Sequence, residues 1–302
     1  MKQQSTLSGI ILMILAMAVL PGLDACAKWL GATLPASQVT AARFSMQMAL
    51  LIPVMMLLRL RFDRSYLSLS QMLRGICLAG ATWLFFISLK TLPMAEAISI
   101  FFVEPLLLTL LGALFLGEVI RIRRIAAIII GFGGAMLIIQ PSFAIFGWPA
   151  LLPLGAAFFF AGYMIITRIL AQKQHPVTAQ LSMSFFALMT IIILAFVNDS
   201  FAFETQSWQM PNRTEFLIIA LLGIIATSGH LMIVFALQRA DTGLLAPFQY
   251  LEIVNASLLG FIIFSDIPKD TTIIGAAIII GSGLYLIHRE NKAQKTHQLA
   301  DL

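Results

Sequence analysis

Five ionisable residues sit inside long apolar runs of this 302-residue chain: Asp24, Lys28, Arg43, Glu104 and Glu252. A charged side chain at the centre of a bilayer costs about 2.5–3.5 kcal/mol on insertion scales, so such groups generally face an aqueous cavity or a partner. Glu104 lies eleven residues beyond Pro93, and Glu252 ten beyond Thr242. At a rise of about 1.5 Å per residue, both are expected near the middle of a membrane span, too deep to reach water. Two uses are open to them: lining a transport cavity, or serving as protonated carboxyls hydrogen-bonded between helices.

The sequence around Glu252 is rich in polar groups. Gln249, Glu252 and Asn255 recur every three residues and form one stripe, flanked by Phe248 and Tyr250. Asp24 and Lys28, four apart, share a helix face and can neutralise each other. Arg43 is about seven residues from the end of its segment, which leaves both a snorkelling role and a gate role open. Pro105 and Pro247 remove backbone donors and free the carbonyls of Phe101 and Gly243, predicting a kink or a carbonyl turned to a cavity. Trp83, Phe85, Phe86, Phe101, Phe102, Phe158, Phe159, Phe160 and Tyr163 supply aromatic surface, a subset of which could stack on a flat ring. His230, alone in an apolar segment, reads first as a helix-to-helix hydrogen-bonder and second as a proton carrier.

The elements that must hold these residues are transmembrane helices. Hydrophobic residues make up 60% of the chain and charged ones 11%, against about 25% charged in a soluble domain. Ten apolar segments of spanning length fall near 7–30, 36–58, 71–90, 93–117, 124–140, 147–171, 178–197, 214–238, 242–265 and 271–288. The first is expected to be a retained helix, because nine more follow it. All but Lys28, Arg43, Lys90, Arg213 and Lys269 of the 19 Lys and Arg residues fall on one side of this arrangement. The positive-inside rule then predicts an even number of spans with both termini in the cytoplasm, and the net charge of +5 needs no nucleic acid to explain it.

A repeat runs through the ten segments. L-F-L-G-E at 114–118 and I-I-I-G-F-G at 128–133 return as I-I-F-S-D at 262–266 and I-I-I-G-S-G at 278–283. Glu104 matches Glu252, and Glu118 matches Asp266, both at an offset of 148, whereas Gly131/Gly133 match Gly281/Gly283 at 150. Lys28 and Arg168 correspond more loosely, each seven or eight residues before a proline. Five helices are an odd number, so the second half enters the membrane from the opposite side, an arrangement found in alternating-access carriers. The expected fold is therefore an all-α integral membrane protein, with ten transmembrane helices as two inverted five-helix repeats, 1–141 and 142–288, and a basic cytoplasmic tail, 289–302.

Three runs resemble the EamA family of the drug/metabolite transporter superfamily: residues 23–44, E-P-L-L-L-T-L-L-G-A-L-F-L-G-E at 104–118, and A-P-F-Q-Y-L-E-I-V at 246–254. The middle run is family-wide. The outer two look most like bacterial riboflavin importers, nearly as much like S-adenosylmethionine importers, and less like amino-acid exporters. The resemblance implies a central cavity between two repeats and an inner-membrane secondary transporter, with riboflavin uptake the first expectation and S-adenosylmethionine uptake or metabolite export the alternatives. Glu104, Glu252, Gln249, Asn255, Tyr250, Phe101 and Trp83 are the expected cavity residues, and Asp24, Lys28 and Arg43 the expected gate or ion pair.

Competing classes fit less well. The four histidines, at 175, 230, 288 and 297, are scattered without a nucleophile or ligand cluster, so an enzyme is not expected. Cys26 and Cys77 lack metal-ligand spacing, and no phosphate-binding glycine loop is present, so neither metal, cofactor nor ATPase domain is expected. A channel is the remaining alternative. The expected partners are a small-molecule substrate and the lipid bilayer, with a homodimer left open.

Overall fold

Once a chain this apolar enters lipid, each backbone N–H and C=O must be satisfied within the protein, and the helix does so within one segment. The computed structural model describes residues 2–60, 63–116, 122–170, 174–201, 207–240, 245 and 248–300, and all regular elements among them are helical. The helices are α1 (Lys2–Leu30), α2 (Ala36–Leu57), α3 (Leu69–Leu89), α4 (Met94–Phe101), α5 (Glu104–Leu116), α6 (Ile122–Phe146), α7 (Leu152–Leu170), α8 (Pro176–Phe201), α9 (Arg213–Arg239), α10 (Leu251–Phe264) and α11 (Asp270–Ala300). Among the described residues, seven stretches are long and apolar enough to cross a bilayer: Leu7–Leu30, Ala36–Leu57, Leu69–Leu89, Ile129–Phe146, Trp148–Thr167, Pro176–Phe196 and Arg213–Ala236. Glu118, Gly243 and Pro247 lie outside the described residues.

Three local features refine the sequence expectation. The segment at 93–117 is two helices rather than one, because Pro105 cannot donate to the Phe101 carbonyl. There the chain tightens, with Phe102 N–H bonded to Ile98 O at 3.0 Å and Val103 N–H to Ile100 O at 3.2 Å. α6 runs past the expected repeat boundary at 141/142 and on to Phe146. The chain turns instead at Gly147, whose φ of 72° a side chain would resist. Finally, α11 continues helically through residues 289–300.

The dominant helix packings all join an element before Gly147 to one after it. α1 lies on α9 and α10, α2 on α8 and α9, α3 on α7 and α8, α5 on α7, and α6 on α11. Small residues allow the close approaches expected between membrane helices. A Cβ on Gly134 would come 2.9 Å from Gly275 O, so α6 and α11 meet almost backbone to backbone. The matched glycines are not used alike: Gly131 receives the Leu106 side chain and Gly283 the Tyr250 hydroxyl, whereas Gly133 and Gly281 face open space. Outward-facing apolar side chains such as Phe196, 77% exposed, and Leu114, 73% exposed, complete a surface suited to lipid.

One end of the bundle is closely fastened. Lys90 Nζ donates to Leu34 O at 3.2 Å, Gln38 Nε2 to Gln209 O at 2.6 Å, and Gln209 Nε2 to Thr33 O at 2.8 Å. A capping box between Asn212 and Glu215 starts α9 there, and Thr33 Oγ1 donates to Glu215 Oε1 at 2.7 Å. At the opposite end, Ser182 donates to the Tyr66 carbonyl, and Gln174 Nε2 to Ser65 O at 3.3 Å.

Candidate functional site

The breaks that precede α5 and α10 come together inside the bundle. Phe102 occupies the turn before α5 and Tyr250 the turn before α10, and their rings are 5.5 Å apart. Glu104 and Glu252 each stand in the first turn of the following helix, where the macrodipole favours negative charge. Both carboxyls line a cavity of about 120 Å³, together with Asp24, Arg43, Gln249 and His230. Phe85, Phe101 and Phe160 form its aromatic wall, with Phe101 centred 5.3 Å from each of the other two.

Arg43 is held in one pose rather than snorkelling to a surface. Only 4% exposed, it donates from Nη1 to Thr82 Oγ1 at 2.6 Å and contacts His230 Nε2 from Nη2 at 3.2 Å. A guanidinium can only donate, so Nε2 accepts. His230 Nδ1 then carries the proton and donates to Ala226 O at 2.9 Å, which defines a neutral tautomer. His230 is thus a helix-to-helix hydrogen-bonder that positions Arg43.

The three acidic groups on the wall are differently placed. Among the described residues, Asp24, Glu104 and Glu252 make no side-chain hydrogen bond or ion pair, and Glu104 Oε1 is fully buried. Burying such an acceptor unpaired costs about 1–3 kcal/mol, so the Glu104 carboxyl calls for a proton, water or ligand there. Their disposition is a feature of the site rather than of the chain. Asp266 is paired with Lys28 and accepts from Met94 N–H at 3.2 Å, and Glu96 meets Lys269 at 2.9 Å and accepts from Ser142.

Several expected assignments change. Lys28 does not pair with Asp24; its Nζ reaches Asp266, across 238 residues of sequence, and donates to Leu92 O at 3.3 Å. Asp24 turns inward to the cavity. Asn255 leaves the polar stripe, because its Nδ2 donates to Met17 O at 3.1 Å. Tyr250 is buried against Phe102 and Gly283, and Trp83 packs between apolar clusters, so neither is on the cavity wall. Thr82 and Glu96 were missed. Thr82 carries no signal beyond a hydroxyl in an apolar run, whereas Glu96, a carboxylate three residues inside one, could have been weighed with the other intramembrane charges.

Comparison with known proteins decides the class. The model of the EamA-like transporter family matches residues 7–140 and again 147–288. The chain belongs to the EamA-like transporter family. It is a multi-pass membrane transporter of this type, and its relatives are named as transporters rather than enzymes. A riboflavin transporter of Vibrio cholerae serotype O1 is 26% identical, covering 87% of this chain and 86% of its own. An S-adenosylmethionine uptake transporter of Rickettsia felis is 28% identical over 95% of both. A solved crystal structure is similar at 25% identity and a TM-score of 0.63, covering 95% of this EamA-like chain and 99% of its own.

Proposed function

We propose that this EamA-like protein imports a small, flat-ringed metabolite across a bacterial inner membrane by alternating access. The observation that carries the reading is the pair of helix breaks, each followed by an unpaired carboxyl, that meet at a cavity between the two halves of the chain. Discontinuous helices at the midplane are where secondary transporters form substrate and ion sites. Ten crossings as two inverted five-helix repeats, with both termini cytoplasmic, account for these features. In support, the family model matches twice, Glu104 and Glu252 share an offset of 148, and the helices split across Gly147 and pack chiefly on one another.

In this reading Glu104, Glu252, Gln249 and Phe101 contact substrate, Arg43 orients it, and Asp24 adds charge to the wall. The cavity of about 120 Å³ is well below the roughly 300–1,000 Å³ of ordinary ligand pockets. Helices must therefore separate for a metabolite to enter, and the fastened end, with Lys28–Asp266 and Lys269–Glu96 on the same α10–α11 connection, acts as the closed gate. Riboflavin and S-adenosylmethionine, named for relatives, both carry a flat ring suited to the Phe85–Phe101–Phe160 wall. Expression in a riboflavin auxotroph and in an S-adenosylmethionine auxotroph tests the reading. Rescue of one at low external supply, with matching labelled uptake, is expected; labelled substrate leaving loaded cells instead would reverse the direction to export, and no flux of either would remove both substrates.

A further inference from the structure

Residues 148 positions apart take matching places around the cavity. Thr82 and His230, Phe101 and Gln249, and Glu104 and Glu252 are three such pairs, and all six residues line it. Gly75 and Gly223 keep the same offset: a Cβ on Gly75 would come 2.6 Å from Phe186 of α8, and one on Gly223 would come 2.4 Å from Met46 of α2. Arg43 has no such twin. Counting on from Pro35 and Pro176 sets Ser184 opposite it, and Ser184 donates to Gln180 O in its own helix at 2.8 Å. One guanidinium therefore serves both halves, and its terminal nitrogens are held by the matched residues, Nη1 by Thr82 at 2.6 Å and Nη2 by His230 at 3.2 Å.

We infer that Thr82 and His230 are positioning residues that act through Arg43 as opposed latches: opening toward one end of the bundle breaks one tie, and opening toward the other end breaks the other. Such latches rest on the carrier reading and add to it how each end is released. Position along the helices assigns each tie to an end. Thr82 lies about two turns from Lys90, which belongs to the fastened end, whereas His230 lies about two and a half turns from Arg239, at the opposite end of α9. Both ties are made at once, so each half holds Arg43. Hydrogen bonds from an ionised donor are roughly twice as strong as neutral ones, and Arg43 is buried, so losing either tie alters the balance between the two openings. Its Nε–H is buried without a partner, so no third bond commits the guanidinium to one half.

The test reads from which side the cavity opens. In the full chain carrying Cys26→Ser and Cys77→Ser, the reporter Ile98→Cys on the cavity wall is labelled with a membrane-impermeant maleimide, from outside in intact cells and from inside in inverted membrane vesicles. Thr82→Val removes the hydroxyl and keeps the shape. It is expected to raise labelling from the fastened end, outside in the proposed topology, about tenfold relative to labelling from the opposite end, the shift that loss of one hydrogen bond to a charged group implies. His230→Leu should move the ratio about as far the other way, and the double variant should return it toward the parent. Thr82→Ser and His230→Gln keep an acceptor and should stay within about threefold of the parental ratio. A packing role would change labelling from both sides alike and would not be rescued by the retained acceptor. Should His230→Leu fail to fold, Thr82→Val and its rescue by Thr82→Ser decide the point. A parent labelled from both sides, with variants that shift the ratio in one common direction, in the reverse directions or not at all, would overturn the inference and leave the carrier intact. A parent labelled from one side only, or from neither, would overturn both.

Discussion

At the scale of single residues, Glu104 and Glu252 are defined by what they lack. They stand at helix N-termini on the cavity wall, with no hydrogen bond or ion pair to the described residues. Replacing either by Gln keeps its size and removes the charge, so we expect transport to fall at least about tenfold, as the loss of a charge-assisted bond of roughly 1.5–3 kcal/mol implies. The melting temperature should stay within a few degrees of the parent. A carboxyl acting only as a helix-to-helix tie would show the reverse, with Ala variants poorly expressed and Gln variants transporting normally. That Glu104 and Glu252 are unusual is legible in the sequence, because a carboxyl in an apolar run is conspicuous, but whether each is hydrogen-bonded between helices or faces a cavity is not. Partners were not. Helical spacing lets Lys28 face Asp24, yet Asp266 takes it, since a side chain from a distant loop reaches the end of α1 better than one turned into the cavity. Asn255 was misread in the same way, because three-residue spacing specifies a shared face but not which neighbour that face meets.

At the scale of elements, Pro105 marked the break between α4 and α5, though the sequence left a mere kink open. The aromatic wall was only partly legible. Phe85, Phe101 and Phe160 meet because α3, α4 and α7 pack together, while Trp83, two residues from Phe85, turns elsewhere. The connection from α10 to α11 is anchored at both ends: Asp266 on Lys28 of α1, and Lys269 on Glu96 of α4. Lys28 and Asp266 are largely shielded, with side chains 16% and 18% exposed, so removing one partner strands the other at a cost that reaches about 3 kcal/mol. If this connection is the gate, Lys28→Ala and Asp266→Ala should each shift the protein toward the state open at that end. Accessibility of a cysteine placed in the cavity to a membrane-impermeant thiol reagent would rise. The exchange Lys28→Asp with Asp266→Lys should restore the parental labelling rate; equal labelling in all variants would reduce the pair to a structural tie.

At the scale of the whole molecule, the all-helical, apolar character is plain in the sequence, whereas the packing of the elements before Gly147 on those after it is not. Helices of one composition could have paired within a half; the close approach of Gly134 to Gly275 helps decide which surfaces fit. The proposed inverted arrangement predicts that reporter fusions after Leu302 report cytoplasm and fusions between Asn198 and Arg213 report periplasm. A periplasmic signal from the C-terminus would break the ten-span count. The central claim is alternating access through one cavity, and the measurement that bears on it most directly is counterflow in proteoliposomes loaded with unlabelled substrate. The account predicts saturable entry of the labelled substrate, riboflavin or S-adenosylmethionine, that rescues its auxotroph, accelerated by the same unlabelled compound inside and lost in Glu104→Gln with Glu252→Gln. Flux that rises linearly with concentration, and is unaffected by substrate on the far side, would describe a pore and contradict it.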